Sequence, residues 1–347
     1  MRLLVVVPCR DERRVVERRL ANLAMGAWPE CDRPHLVVVV DDGSRDGTAE
    51  LARAACARLF EPTRVACAVV ANTSRPGKAG AVRSALESRA GDVDLVVLTD
   101  ADVVHAHGSL PALARAFARD GRLALACARQ SFVEDLADDG TTRGKDGAAP
   151  RPAGAPFDRA TARVRAWESR FGALYSLHGQ LCAWRAELGL APTLGIAADD
   201  LDLVGQVRAR AASPRRVELV REAEFLEVKP SGGAAQGQAL RRARAYFQAV
   251  RSLPPDAGGS CARAQSFFYR HGPGLVPRAC VALLALGLAI LAWWQGIMAA
   301  LAVAALCALL TAIPMLAHWM RLLATIARAA RLERRATLAD QWSMERR

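Results

Sequence analysis

Four short apolar runs in the first hundred residues, separated by stretches with helical spacing, restrict the fold of this chain more than any other feature. They begin at Leu3, Leu36, Val65 and Leu95 and are rich in valine. Buried strands that alternate with helices form a parallel sheet with crossover helices. Ligands of such sheets bind outside the carboxyl ends of the strands. The pattern therefore predicts an α/β domain with a binding site in the loops at one sheet edge.

The run that begins at Leu95 ends in two carboxylates with one small residue between them, Asp100-Ala101-Asp102. Two acids at i and i+2 after a buried strand provide hard oxygen ligands for a divalent cation such as Mn²⁺ or Mg²⁺. The cation can in turn hold a diphosphate. A solvated turn, in which Asp is also common, is the alternative interpretation of this motif.

Charge and cysteine usage set the expected partners and compartment. The net charge is +12, and basic residues crowd around a long apolar run, which favours a membrane as partner. We expect no nucleic-acid partner, because no basic motif is interleaved with aromatic residues. The cysteines number nine and show no Cys-x-x-Cys spacing. This usage argues against a zinc cluster and a disulfide framework and fits a reducing cytosol.

The apolar run extends from Ala279 to Ala317, and its only strongly polar side chain is Gln295. About 20 residues span a bilayer, so the run has room for two helices that turn at Gln295-Gly296, or for one long tilted helix. Basic residues on both flanks favour a hairpin with both ends in the cytoplasm. We therefore expect a multi-pass inner-membrane protein with two spans and a cytoplasmic catalytic domain. A buried helical pair is the alternative.

These features divide the chain into consecutive parts. Residues 1–250 form the expected catalytic domain, with a nucleotide-binding half at about 1–105 and an acceptor half at 106–250. A linker or interfacial segment follows at 251–278, then the two membrane helices at 279–317 and a basic cytoplasmic tail at 318–347.

Four motifs in register resemble family 2 glycosyltransferases with the GT-A fold over about residues 3–250. They are Pro8-Cys9-Arg10-Asp11-Glu12, Asp41-Asp42-Gly43-Ser44-Arg45-Asp46-Gly47-Thr48, Gly77-Lys78-Ala79-Gly80-Ala81 and Asp100-Ala101-Asp102. The resemblance implies a mixed, mainly parallel sheet with flanking helices. It also implies a nucleotide diphosphate sugar as donor.

The resemblance assigns donor-binding roles to several residues. Asp42 would accept a hydrogen bond from the base, usually uracil, and an acceptor-only carboxylate suits an imide N–H. Pro8 and Glu12 fall where the family shapes the nucleoside pocket, and Arg10 stands where the family commonly has Tyr. Lys78 would lie near the phosphates. The alternative for Asp42 is that it caps the following helix.

Asp100 and Asp102 correspond to the family's cation site. Asp102 is there the expected direct ligand, and Asp100 tends to face the ribose or sugar. The segment Ala198-Asp199-Asp200-Leu201-Asp202-Leu203 resembles the family's Glu-Asp-x-Asp-Leu, which makes Asp200 the general base. A helix N-terminus enriched in Asp is the alternative. The segment Gln238-Ala239-Leu240-Arg241-Arg242 resembles the family's Gln-x-x-Arg-Trp, with Arg242 in place of Trp. The resemblance implies that Arg241 borders the diphosphate and the acceptor, and a basic face on lipid is the alternative.

These assignments predict an inverting, metal-dependent glycosyltransferase. It would move a sugar from a UDP-sugar to a hydroxyl of a lipid or lipid-linked acceptor at the cytoplasmic membrane face. The alternatives are an enzyme that builds a polysaccharide and a non-catalytic membrane scaffold with the same fold. A nucleotidyltransferase is disfavoured, because no Gly-rich loop with a phosphate-binding Lys follows the first strand.

Overall fold

The structure is a computed structural model that describes residues 1–61, 63–89, 93–210, 216–230, 232–254, 256–310 and 314–335. These residues form two compact units. The first lies within Met1–Ser231 and includes Leu253–Gly258. The second lies within Gly232–Ser252 and Gly259–Leu338.

The first unit is built on a mixed sheet whose described strands follow the order β3-β2-β1-β4-β7-β6-β8-β5. Neighbours are parallel from β3 through β4, and β7 pairs antiparallel with both β4 and β6. The strands are β1 (Leu3–Cys9), β2 (His35–Asp41), β3 (Val65–Ala71), β4 (Leu95–Thr99), β5 (Val104–His105), β6 (Leu123–Val133), β7 (Leu181–Arg185) and β8 (Arg216–Val228).

Helices cover both faces of this sheet. One core cluster includes Leu20, Phe60 and Leu110, and the other includes Val82 and Trp184, all of them buried. Strands that are buried on both faces read as continuous apolar runs, which explains the valine-rich segments at the start of the chain. The helices of this unit are α1 (Val16–Met25), α2 (Thr48–Phe60), α3 (Lys78–Arg89), α4 (Ser109–Arg119), α5 (Pro156–Arg170) and α6 (Asp199–Arg208).

The predicted mixed, mainly parallel sheet with flanking helices is confirmed in this unit. Strands β5 and β8 were not predicted from the sequence. They pair with each other antiparallel. Cys56 of α2 and Cys67 of β3 form a disulfide, whereas the cysteine usage argued against a disulfide framework. The sequence signal failed here because the two cysteines become neighbours only when α2 packs on the sheet.

The second unit contains four described helices: α7 (Gly232–Ser252), α8 (Ser260–Gln295), α9 (Ile297–Leu310) and α10 (Pro314–Arg335). Helix α8 ends where the turn was predicted, and Gly296 has a φ of 83°, a conformation that glycine adopts without steric cost. Glu333 of α10 has a fully buried side chain and forms ion pairs with Arg244 at 3.3 Å and Arg251 at 3.5 Å of α7.

None of the helices described here is both long and apolar enough to cross a membrane. The expected multi-pass location in the inner membrane is therefore contradicted, and the membrane-spanning hairpin is not confirmed. Helix lengths give the reason. The 14 residues of α9 rise only about 21 Å, whereas a hydrocarbon core is about 30 Å thick. Helix α8 carries Arg263, Arg270 and Arg278. The last part of the predicted basic tail, residues 336–347, lies outside the described residues.

Candidate active site

The loops that follow β1 and β2 are joined by backbone-to-side-chain hydrogen bonds. The Asp11 N–H donates to Ser44 Oγ at 3.0 Å, and Asp11 Oδ1 accepts from the Arg45 N–H at 2.8 Å. The Glu12 N–H donates to Thr48 Oγ1 at 2.9 Å. Asp11 has a φ of 55°, which is uncommon outside glycine, and this strain is held by its contacts on both sides. The two loops therefore form one rigid wall.

Asp42 is buried in this wall and accepts three hydrogen bonds. The donors are the Gly77 N–H at 2.8 Å, Asn72 Nδ2 at 2.5 Å and Arg10 Nη1 at 3.4 Å. Helix α2 begins at Thr48 with no side-chain cap, so capping by Asp42 is not observed. A carboxylate has about four acceptor positions, and one therefore stays open for a ligand N–H.

Pro8 and Glu12 flank the same wall. Pro8 pairs with Val40 near the carboxyl end of β1, and Glu12 is 8% exposed at the start of the turn into α1. Both lie within the loop region where the sequence placed a nucleoside pocket. Their contacts with a nucleoside stay a prediction.

Lys78 joins two acidic motifs that are 100 residues apart in the sequence. Its Nζ lies 2.8 Å from Asp100 Oδ1 and 3.0 Å from Asp199 Oδ2. Burial alone would lower the pKa of Lys78, but the two carboxylates outweigh burial and raise the pKa above its ordinary value. The ammonium therefore stays charged. This contact brings the Asp-x-Asp motif and the start of α6 into one site.

Two arginines of α1 form hydrogen bonds with the loop that carries Asp100 and Asp102 and with its flanks. The fully buried Arg19 donates to Thr99 Oγ1 at 2.7 Å and to the Val103 carbonyl at 3.3 Å, one on each side of the motif. Arg18 donates to the Asp102 carbonyl at 3.3 Å. Burial lowers the pKa of Arg19 to about 9, which still leaves it charged near neutral pH. This support could not be predicted from the sequence, because adjacent arginines on a helix usually face solvent.

The donor set at this loop suits a hard divalent cation. Asp100 and Asp102 offer carboxylate oxygens, and Asp100 already attracts the Lys78 ammonium. No group of three or more His, Cys, Asp or Glu side chains suited to a metal occurs in the described part of the chain. A cation here would take its remaining ligands from water or from a bound diphosphate. His105 is fully buried against Arg19 and Asn22, beside the motif but committed to other contacts.

Helix α6 starts at the second acidic motif, and each of its three acids has a distinct environment. Asp202 is structural, because it accepts the Thr193 N–H at 2.7 Å and Gln206 Nε2 at 2.9 Å. Asp199 pairs with Lys78. Asp200 Oδ1 accepts the Leu201 N–H at 2.8 Å. Burial, together with repulsion from Asp199, raises the pKa of Asp200 to about 6.

Gly179 packs closely against Asp199 and Asp200. A Cβ on Gly179 would come within 3.3 Å of Asp200 Cβ and 3.7 Å of Asp199 Oδ1. The next residue, Gln180, accepts the Asp100 N–H at 3.2 Å through its carbonyl and Thr99 Oγ1 at 2.9 Å. The segment that precedes β7 therefore touches both acidic motifs, a link that sequence spacing could not reveal.

Arg241, the remaining residue assigned from the sequence, lies on α7 in the second unit. Its contribution to donor binding stays a prediction. The other assigned residues all lie in the first unit, at the carboxyl ends of β1, β2 and β4 or at the start of α3. Asp200 lies in the same unit, in the first turn of α6.

Comparison with known proteins identifies the family. The sequence profile of the family described as "Glycosyltransferase like family 2" matches residues 2–246. No curated protein sequence matches the chain.

Two solved structures are similar in fold. One is the mannosyltransferase PcManGT from Pyrobaculum calidifontis in complex with GDP-Man and Mn²⁺. It is 24% identical with a TM-score of 0.72, and the match covers 96% of this chain and 87% of that chain. The other is S. aureus TarS 1–349, which is 16% identical with a TM-score of 0.51 over 78% of this chain and 72% of that chain. The family profile covers more than half of the chain, and the chain belongs to glycosyltransferase-like family 2.

Proposed function

We propose that the chain catalyses inverting transfer of one sugar from a nucleotide diphosphate sugar to a hydroxyl group of a lipid or lipid-linked acceptor. The observation that carries this proposal is the contact of Lys78 with both Asp100 and Asp199. It brings the Asp-x-Asp motif and a partly buried acid, Asp200, into one site. Inverting transfer needs these two elements, one at the leaving group and one at the attacking hydroxyl.

Asp200 is the proposed general base. A carboxylate with a pKa near 6 is mostly ionised at neutral pH and is a stronger proton acceptor than an ordinary Asp. Asp200 Oδ2 would accept the proton of the acceptor hydroxyl while the hydroxyl oxygen attacks the anomeric carbon and the bond from that carbon to the nucleotide diphosphate breaks. Asp199 supports this role, because its negative charge favours the protonated product state of Asp200.

Asp100 and Asp102 are the proposed holders of a divalent cation, Mn²⁺ or Mg²⁺. When bound, such a cation offsets the charge that develops on the diphosphate leaving group. Arg18 and Arg19 fix the loop so that both carboxylates are positioned before the donor arrives. Fixed charged groups stabilise developing charge without reorganisation at the moment of reaction.

The nucleotide is proposed to be a uridine diphosphate. The open acceptor position of Asp42 suits the single imide N–H of uracil. Guanine offers an N–H and an amino group side by side, and it would need two free acceptor positions for its usual pairing with a carboxylate. A direct comparison of UDP-sugars with GDP-sugars tests this choice.

A lipid or lipid-linked acceptor is supported by the surface of the second unit. Large apolar side chains of α8 are exposed, among them Phe267, Phe268, Trp293 and Trp294. Contiguous exposed apolar surface marks sites for protein or membrane contact. Exposed arginines of α10 add positive charge suited to anionic head groups. We propose that the acceptor is reached at a membrane face.

The experiment is a screen of nucleotide sugars against a membrane lipid extract, with and without Mn²⁺ or Mg²⁺, read by mass spectrometry. We expect a glycosylated lipid only with donor and cation together, and none with Asp100→Ala. Glycosylation of a long polysaccharide instead of a lipid would favour the alternative acceptor. Product formation by Asp100→Ala at the wild-type rate would contradict the proposal.

A further inference from the structure

The ammonium of Lys78 contacts Asp100, one of the two carboxylates proposed to hold the cation. Lys78 Nζ is 2.8 Å from Asp100 Oδ1 and 3.0 Å from Asp199 Oδ2. The three side chains are only 23%, 22% and 12% exposed, so solvent screens these charges weakly. Without donor, the site therefore already contains a positive charge.

The backbone of Lys78 is fixed, whereas its side chain is free to change partners. The preceding Gly77 N–H is held by Asp42. Gly80 packs so closely on the turn that a Cβ would lie 1.8 Å from the Arg75 carbonyl oxygen. From this fixed point, a lysine extends on a flexible four-carbon stem with three rotatable donors. A shift of the ammonium needs no movement of the loop.

A divalent cation and an ammonium compete for Asp100. Like charges at contact distance repel strongly where the effective dielectric constant is low. A cation that arrives alone has to displace Lys78 from Asp100 and leave it close by, with one carboxylate partner fewer. A cation that arrives with a diphosphate brings negative oxygens that can accept the displaced ammonium.

We propose that Lys78 is an exchangeable counter-ion, which occupies the cation site in the donor-free enzyme and moves from Asp100 to the donor diphosphate when donor and cation bind together. Lys78 keeps its contact with Asp199 during this exchange. The inference rests on the proposed role of Asp100 as a cation ligand. The exchange makes the cation and the nucleotide bind cooperatively, because each then raises the affinity of the enzyme for the other by the same factor.

The test measures binding of Mn²⁺ alone to the full chain, from the loss of the free Mn²⁺ signal in electron paramagnetic resonance. Lys78→Met removes the competing charge, and we expect its affinity for Mn²⁺ to rise about tenfold above that of the wild type. Lys78→Arg keeps a charge at this place and should bind Mn²⁺ as weakly as the wild type. In Lys78→Met combined with Asp100→Asn, the gain should disappear.

Lys145→Met is the matched control, because it removes one positive charge from an exposed loop residue. It should leave the affinity for Mn²⁺ unchanged. Equal or weaker Mn²⁺ binding by Lys78→Met than by the wild type would overturn the inference. Lys78→Gln is a second charge-free variant, and failure of both to fold would also overturn it, since Lys78 would then be a structural residue. Because no sugar is transferred in this experiment, its outcome is independent of whether the proposed reaction occurs.

Discussion

At the scale of single residues, the site depends on acids that share a motif but differ in environment. Asp199, Asp200 and Asp202 lie in the first turn of one helix, yet one pairs with Lys78, one is partly buried with a pKa near 6, and one holds a loop. Sequence alone could place all three near a helix start. The family resemblance singled out Asp200 as the base. It could not predict the contacts of Asp199 and Asp202, because their partners Lys78 and Thr193 come from other parts of the chain.

Asp200 should impose an acid limb on the pH dependence of transfer. The base has to be ionised, so kcat is expected to fall as the pH drops through about 6, the pKa of Asp200. In Asp199→Asn, the repulsion that helps to raise this pKa is lost, and the limb should move to lower pH. Steady-state rates between pH 4.5 and 8 measure this shift. If the apparent pKa of kcat on the acid side is the same in Asp199→Asn and in the wild type, Asp200 does not set the pH dependence of transfer.

The same raised pKa predicts an effect on stability. An acid whose pKa is higher in the folded than in the unfolded state destabilises the fold once it ionises, so the cost is present above pH 6 and disappears as the pH falls towards 4. Asp200→Asn should therefore unfold at a higher denaturant concentration than the wild type at pH 7.5, by on the order of 2 kcal/mol. The difference should shrink at pH 4.5. A variant less stable than the wild type at pH 7.5 would contradict the burial argument.

At the scale of elements, the apolar strands of the nucleotide-binding half were predictable because both sheet faces are covered and valine fills them. Strand β8 was not, since Glu218, Arg221, Glu222 and Glu224 interrupt its apolar residues and hide the strand among surface-like positions. The support of the Asp-x-Asp loop by α1 was equally hidden. Its key residue, Arg19, becomes visible only when α1 packs beneath β4.

Loss of the Arg19 guanidinium should loosen the cation-binding loop. Arg19→Met leaves Thr99 Oγ1 and the Val103 carbonyl without this donor, and we expect a loss of about 2–4 kcal/mol in the free energy of unfolding. Mn²⁺-dependent donor binding should weaken as well. Arg53→Met, on the exposed surface of α2, is the control and should stay near the wild type. Equal stability of both variants in urea titrations would remove Arg19 from its supporting role.

The first turn of α3 should tolerate no added side chain at Gly80. Gly80→Ala would bring a Cβ to 1.8 Å from the Arg75 carbonyl oxygen, and the backbone has to shift, at an expected cost of about 1–3 kcal/mol. Gly108→Ala is the matched control, because no atom lies within 4 Å of its Cβ position. Thermal unfolding of the two variants measures the difference. If Gly80→Ala and Gly108→Ala have the same melting temperature, the close packing of this turn is refuted.

At the scale of the whole molecule, the structure divides the chain into compact units near residue 232. The sequence predicted a catalytic domain at residues 1–250 followed by an apolar helical part. It overestimated that part as a membrane-spanning hairpin, because a hydropathy run does not reveal where helices begin and end. The observed break at Gly296 leaves α9 short, and α8 starts within a basic segment. The second unit nevertheless has an exposed apolar surface on α8 and exposed arginines on α10.

This surface should bind anionic lipid. Trp293 and Trp294 are 88% and 78% exposed, and their replacement by Ala should weaken cosedimentation with vesicles that contain phosphatidylglycerol by about tenfold. Trp167→Ala, at an exposed tryptophan of the first unit, is the control and should bind as the wild type does. Equal cosedimentation of all variants would exclude this surface as the lipid contact.

The most direct test of the central claim is single-turnover sugar transfer by Asp200→Asn, measured beside its binding of donor and Mn²⁺. The account predicts that this variant binds both as the wild type does, because Asp42, Asp100 and Asp102 are unchanged, while the transfer step slows by about 10³-fold or more. Transfer by Asp200→Asn within about tenfold of the wild-type rate, with binding intact, would show that Asp200 is not the base.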